Sequence, residues 1–171
     1  MKNQRPSASE YNEYYKRYID QATGDSLLTS LEKGKDKTLY FFKNLPIEKQ
    51  EYRYAPDKWT PKEIVQHITD TERVFCYRAL QFARADNVVI RGFDQDEFAA
   101  NANTNDRTME ELLDEYAAVR EASILFAMSC KEDTLLRMGV ASNSPLSVRA
   151  ALYILVGHEI HHRKIIEERY L

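Results

Sequence analysis

Three of the chain's four histidines lie within five residues, in Gly157-His158-Glu159-Ile160-His161-His162, and His67 lies far upstream. His158 and His162 are four apart, a spacing that puts both imidazoles on one face of a helix, one turn apart. With a third imidazole from another helix they would make a three-histidine metal site with an open position, the pattern of catalytic rather than structural sites. Imidazole-only ligation suits Zn²⁺, Ni²⁺, Co²⁺ or Fe²⁺. A divalent ion held this way lowers the pKa of a water or a thiol toward neutrality.

The bland reading differs between positions. A single histidine on an apolar face, such as His67, is usually a core residue that has found a hydrogen-bond partner. Two in the middle of one apolar stripe need two such partners among Leu and Ile, and a metal serves both at once. His161 is about 100° from His162 and cannot share its direction. Arg120 and Arg78 each interrupt an apolar face. Either could line a cavity and bind the anionic groups of a substrate, or reach water or pair with a Glu instead. Glu63 and Asp70 flank His67 by about one turn, where a carboxylate could orient a ligating ring. Trp59 and Tyr153 read as packing residues. No general base stands out, and Glu159 and Asp70 are only nominal candidates.

Four long helices are needed to carry these residues. The first runs from about Asp25 to Leu45, with Leu27, Leu28, Leu31, Leu39, Phe42 and Leu45 as its stripe, a weak point at Gly34 and a stop at Pro46. The second opens on Thr60-Pro61-Lys62-Glu63, a capping box with Pro at the first helical position, and reaches about Ala85. The third opens on Thr108-Met109-Glu110-Glu111 and reaches about Cys130. The fourth begins near Ser144 or Ser147 and ends near Tyr170. Residues 86–107 form a long connection rich in Asp and Asn, which must be functional or contain a short helix, with Asp94 to Ala100 the candidate. Residues 131–145 read as a short segment and a turn, and no segment shows a convincing period of two. Residues 1–20 read as a loosely attached arm with an aromatic edge of Tyr11, Tyr14, Tyr15 and Tyr18.

The whole is a single domain of 171 residues, 1–171, of the all-α class: a four-helix bundle with a long loop between helices two and three. Only 5 Gly and 5 Pro agree with long helices. A net charge of −3 without a Lys/Arg block argues against nucleic acid as a partner. The longest apolar run, Ala150 to Gly157, is too short to span a bilayer, and the first residues lack the apolar core of a signal peptide. Cys76 and Cys130 form no C-x-x-C pair and read as reduced thiols of a cytoplasmic protein.

The string Ala55-Pro56-Asp57-Lys58-Trp59-Thr60-Pro61-Lys62-Glu63-Ile64-Val65-Gln66-His67-Ile68 resembles the second-helix signature of the DinB-like superfamily. Glu72-Arg73-Val74-Phe75-Cys76-Tyr77-Arg78-Ala79-Leu80 and Gly92-Phe93-Asp94 are similar to its continuation, and Gly157 to His162 resembles its closing H-x-x-x-H. The resemblance extends from about Leu27 to Ile166. It implies a DinB/YfiT-like bundle of up-down-down-up connectivity, often a homodimer, with His67, His158 and His162 as metal ligands. It also implies the family's range of activities, from YfiT-like metal-dependent hydrolases to bacillithiol S-transferase-like enzymes. The resulting expectation is a metal-dependent enzyme on a small-molecule substrate. First comes a thiol-dependent S-transferase that uses a low-molecular-weight thiol on an electrophile. A hydrolase using water is the alternative, and a non-catalytic metal-binding or dimerising bundle the third.

Overall fold

The computed structural model describes residues 4–24 and 26–171. The expected helix start at Asp25 and the first three residues read for a signal peptide lie outside them. Four long helices dominate: α2 (Leu27–Lys43), α3 (Pro61–Arg84), α5 (Met109–Ser129) and α7 (Val148–Arg169), with short α1 (Lys16–Ile19) ahead of them and α4 (Gln95–Asn101) and α6 (Glu132–Leu135) between them. Local chemistry sets their starts. Thr60 and Thr108 accept from the amides of Glu63 and Glu111, whose carboxylates accept in turn from the Thr60 and Thr108 amides. Ser26 and Ser147 cap α2 and α7 through the amides of Thr29 and Ala150. Ser144, the other expected start of the last helix, lies in a strand.

Two apolar clusters give the direction of each helix. One gathers Phe42 and Leu45, Ile64 and Ile68, Leu112 and Tyr116, and Ile166 and Tyr170. It therefore joins the C-terminal ends of α2 and α7 to the N-terminal ends of α3 and α5. The other joins the opposite ends through Leu31, Phe82, Ala127 and Leu152. The order is up, down, down, up. Both α3 and α2 pack against α5 and α7. Because α3 and α5 are parallel, the chain leaving α3 must return along the bundle, and α3 alone, with 24 residues, is about 36 Å long. That is the physical reason for the long connection. It folds back along α3 and carries α4, whose N-cap Asp94 accepts from the amides of Asp96 and Glu97.

The structure adds elements where none were expected. A small sheet of β1 (Val89–Ile90), β2 (Met138–Ala141) and β3 (Ser144–Ser147) closes one end, with β2 and β3 an antiparallel hairpin and β1 parallel to β2. Its turn, Ser142-Asn143, holds both residues at positive φ, 51° and 60°. Strands of two and four residues are too short to show an alternation. The arm expected to be loose is packed, at least from residue 4. Glu10 is buried and bonds to Arg149 and Ser147, while Tyr11, Tyr18 and Ile19 join the core. Gly157 permits this: a Cβ there would lie 1.8 Å from the Tyr18 carbonyl oxygen, so only glycine lets α1 lie on α7. As a result α7 is buried on every face from Ala150 to Glu159 rather than along one stripe.

Candidate metal centre

α3 delivers His67 and α7 delivers His158 and His162 to one point between them. The His67 and His158 Nε2 atoms are 3.0 Å apart, and those of His158 and His162 3.1 Å. The potential ligand atoms of all three lie within 4.8 Å of one another. Nitrogens about 2.0–2.1 Å from a tetrahedral zinc would be about 3.3 Å apart, so the tripod is close to the size an ion requires. Hydrogen bonding alone explains it poorly. His158 Nε2 faces two ring nitrogens at once, yet has a single in-plane proton or lone pair.

Burial holds the three rings neutral, which leaves lone pairs for an ion. It lowers His67 to about 4. It takes His158 and His162 well below the usual imidazole value, helped by the neighbouring rings. Trp59 lies on His67, with ring centres 4.5 Å apart, and the Tyr18 ring meets His158 edge-on at 5.2 Å. His161 is half-buried against Tyr18 and His162 and is not part of the tripod.

Two cavities reach the tripod from different sides. The first, about 190 Å³, touches His67 and His158 and follows α3 past Thr71 to Phe75, with Tyr14, Tyr15 and Tyr18 on one wall and Phe93, Gln95 and Ser142 on another. The second, about 210 Å³, touches His162 and Trp59 and includes Asp57 and Asp96. Gln95 and Asp96 start α4, so the long connection supplies a wall to both. The Thr71 hydroxyl, buried in the first cavity's wall one turn from His67, has no hydrogen-bond partner. This is the orphaned polar group that a ligand-binding site leaves open.

The other expected site residues are placed as follows. Arg120 is fully buried and lines neither histidine cavity. Its Nε and Nη2 grip both oxygens of Glu72 at 2.7 and 2.8 Å, and its Nη1 pairs with Glu159 at 2.9 Å. It is thus a core ion pair and not a substrate contact, because every edge of its guanidinium is used. Glu159 belongs to the same network and accepts from the Tyr116 hydroxyl at 2.6 Å, pointing away from its neighbour His158. Glu63 caps α3, and Asp70 accepts from Gln66 and Arg73, so neither orients His67. Arg78 lies behind the first cavity, its guanidinium over Phe75 and Phe93. Both cysteines are free, and burial pushes the Cys76 thiol up to about 12, so it is inert as a nucleophile. Cys130 is the C-cap residue of α5, where the third helix was expected to end.

Sequence reasoning missed Tyr18 and Asp96 as neighbours of the site. The aromatic edge of residues 11–18 was a signal for the first, since tyrosines at that spacing form one continuous surface. Asp96 had none, because the fold of the connection decides what it meets.

Among solved structures the chain is similar to YfiT from Bacillus subtilis, described as a probable metal-dependent hydrolase with an unusual four-helix bundle topology. The identity is 16%, with 97% of this chain and 91% of that chain covered and a TM-score of 0.76. At that identity the likeness shows the fold. Comparison with curated proteins gives no match. The model of the DinB superfamily matches residues 30–166, a span that includes all four bundle helices except the outermost turns and all three converging histidines, and the chain belongs to that superfamily.

Proposed function

We propose that the chain is a metal-dependent enzyme in which His67, His158 and His162 hold one divalent ion, and that it is a thiol-dependent S-transferase acting on small electrophiles. The ion would supply Lewis acidity beside the first cavity, enough to favour the deprotonated form of a thiol or a water near neutral pH.

One observation carries the choice of a thiol. Among the described residues, the first cavity's wall holds phenols, hydroxyls, an amide and apolar side chains, and no carboxylate, lysine or further imidazole beyond the tripod. A thiol with a pKa of about 8.5 needs only a modest push to become a nucleophile and then needs no base. Water starts from about 15.7 and is served better by a positioned base. Phe75, Phe93 and Ile154 limit water in the cavity, Tyr18 closes it over His158, and Thr71 and Gln95 offer polar atoms for orientation. The transfer balances simply: the S–H proton passes to solvent, a C–S bond forms, and the leaving group departs with its electron pair.

Hydrolysis is the second reading. The description of YfiT favours it, and so does the second cavity, where Asp96 shares a wall with His162.

Protein purified without a histidine tag should hold about one Zn²⁺, Ni²⁺, Co²⁺ or Fe²⁺ per chain, and His67→Ala or His158→Ala should lose it. Unchanged metal content in both variants overturns the site. Conjugation of an alkyl halide, followed with several low-molecular-weight thiols, should depend on the thiol and vanish in His158→Ala. Turnover of activated esters that ignores every thiol and falls in Asp96→Asn gives the hydrolase instead.

A further inference from the structure

Arg78 is as deeply buried as Arg120, at 1% exposure against 0%, but its situation is opposite. Arg120 has two carboxylates, whereas Arg78 has no acidic partner among the described residues. Besides the rings of Phe75 and Phe93, it meets the Ser142 hydroxyl oxygen, to which its Nη2 donates at 3.0 Å, and among the described residues its Nε has no acceptor. A buried guanidinium without a counter-charge is expensive, and the same fold shows how it is otherwise satisfied.

The surroundings of Arg78 indicate where the missing charge enters. Phe75, Phe93 and Ser142, which contact its guanidinium, are all walls of the histidine cavity. Arg78 is eleven residues beyond His67 on α3, about 16 Å along the helix, and Thr71 and Phe75 line the cavity between them. The cavity thus runs from the tripod past the unpartnered Thr71 hydroxyl to Phe75, Phe93 and Ser142, with the Arg78 guanidinium behind them. Ser142 is held by the hairpin turn, with φ of 51° and its amide donating to the Ile90 carbonyl. Because its oxygen already accepts from Arg78, its own proton is free to be donated toward the cavity.

We propose that Ser142 and Arg78 form an anion subsite at the far end of the histidine cavity, and that the molecule bound there carries a carboxylate. Ser142 makes the contact, and Arg78 supplies the charge behind it through the hydrogen bond from its Nη2 to the Ser142 oxygen. This rests on the reading of the tripod as a metal site for a thiol, and it deepens that reading: the thiol, or the electrophile joined to it, is a carboxylic acid.

The test uses the full chain loaded with Co²⁺ and a series of mercaptoalkanoates, each paired with the hydroxyl-terminated alkanethiol of equal length. Affinity is read from the sulfur-to-cobalt charge-transfer band. At one best length the acid should bind about tenfold tighter than the alcohol. Ser142→Ala and Arg78→Met should bring that ratio close to one, and Arg78→Lys should keep part of it. Equal binding of acid and alcohol at every length, or a preference that survives both Ser142→Ala and Arg78→Met, overturns the subsite. Ser142→Ala, at the surface of the hairpin, guards against an Arg78 variant that fails to fold. Absence of the band with every thiol overturns the thiol reading alone. The subsite is then judged by sulfur-free alkanoates against alkanols through the fluorescence of Trp59, the chain's one tryptophan, which lies on His67. A carboxylate-specific change abolished by Arg78→Met sustains the subsite, and no change overturns it.

Discussion

Arg120 and His67 show what a residue's own sequence context can and cannot reveal. The tripod was legible because helical phase is local: His158 and His162 share a face by spacing, and His67 was the remaining histidine able to meet them. The role of Arg120 was not legible, because its partners Glu72 and Glu159 arrive from two other helices. Gly34, which reads as a weak point in its helix, makes that meeting possible. A Cβ there would lie 1.9 Å from the Glu159 Oε1 and 3.2 Å from the Arg120 Nη1. Removing one partner of a buried ionic network leaves the others uncompensated, so Arg120→Met should destabilise the fold by about 3–5 kcal/mol. Urea unfolding measures that loss, while the metal content of the folded fraction should stay at the wild-type value. Lost metal without lost stability would place Arg120 in the site after all.

At the scale of elements, caps and lengths were readable and contacts between distant segments were not. The two Thr-x-x-Glu boxes mark the starts of α3 and α5 to the residue, whereas the parallel pairing of β1 with β2 joins Val89 to Val140 and leaves no local trace. The packing of the arm was hidden for the same reason, since it depends on Gly157 and Arg149 near the other end of the chain. Burial disfavours the Glu10 charge, but hydrogen bonds from Arg149, Ser7 and Ser147 outweigh it and hold the carboxyl at about 2, below its ordinary 4.5. A depressed carboxyl contributes stability fully above its unfolded value and loses it as pH falls toward the folded one. Between pH 4.5 and about 2 the arm should therefore come off α7. Protection of the α1 amides from hydrogen exchange should fall through that window in the wild type and be low already at neutral pH in Glu10→Gln. Equal protection in the two proteins at neutral pH would show that the ion pair does not hold the arm.

For the whole molecule, the up-down-down-up order gives the tripod its leverage on stability. His67 comes from α3 and the other two rings from α7, so an ion held by all three ties together helices whose contact runs the length of the bundle. The unfolded chain keeps His158 and His162 near each other in sequence but loses His67, and with it most of its affinity. Binding to the folded form alone adds about 2.7 kcal/mol when the free ion stands at a hundred times its dissociation constant. For a chain of this length each kcal/mol raises Tm by about 2–4 °C, so loading should raise Tm by about 5–10 °C. A chelator should reverse the rise. In His67→Ala it should shrink to the small effect of a two-ligand site on one helix, whereas His161→Ala should keep all of it, since that ring lies outside the tripod. A thermal shift that survives His67→Ala would mean that the ion is held by α7 alone, and the bundle would then be no part of the site.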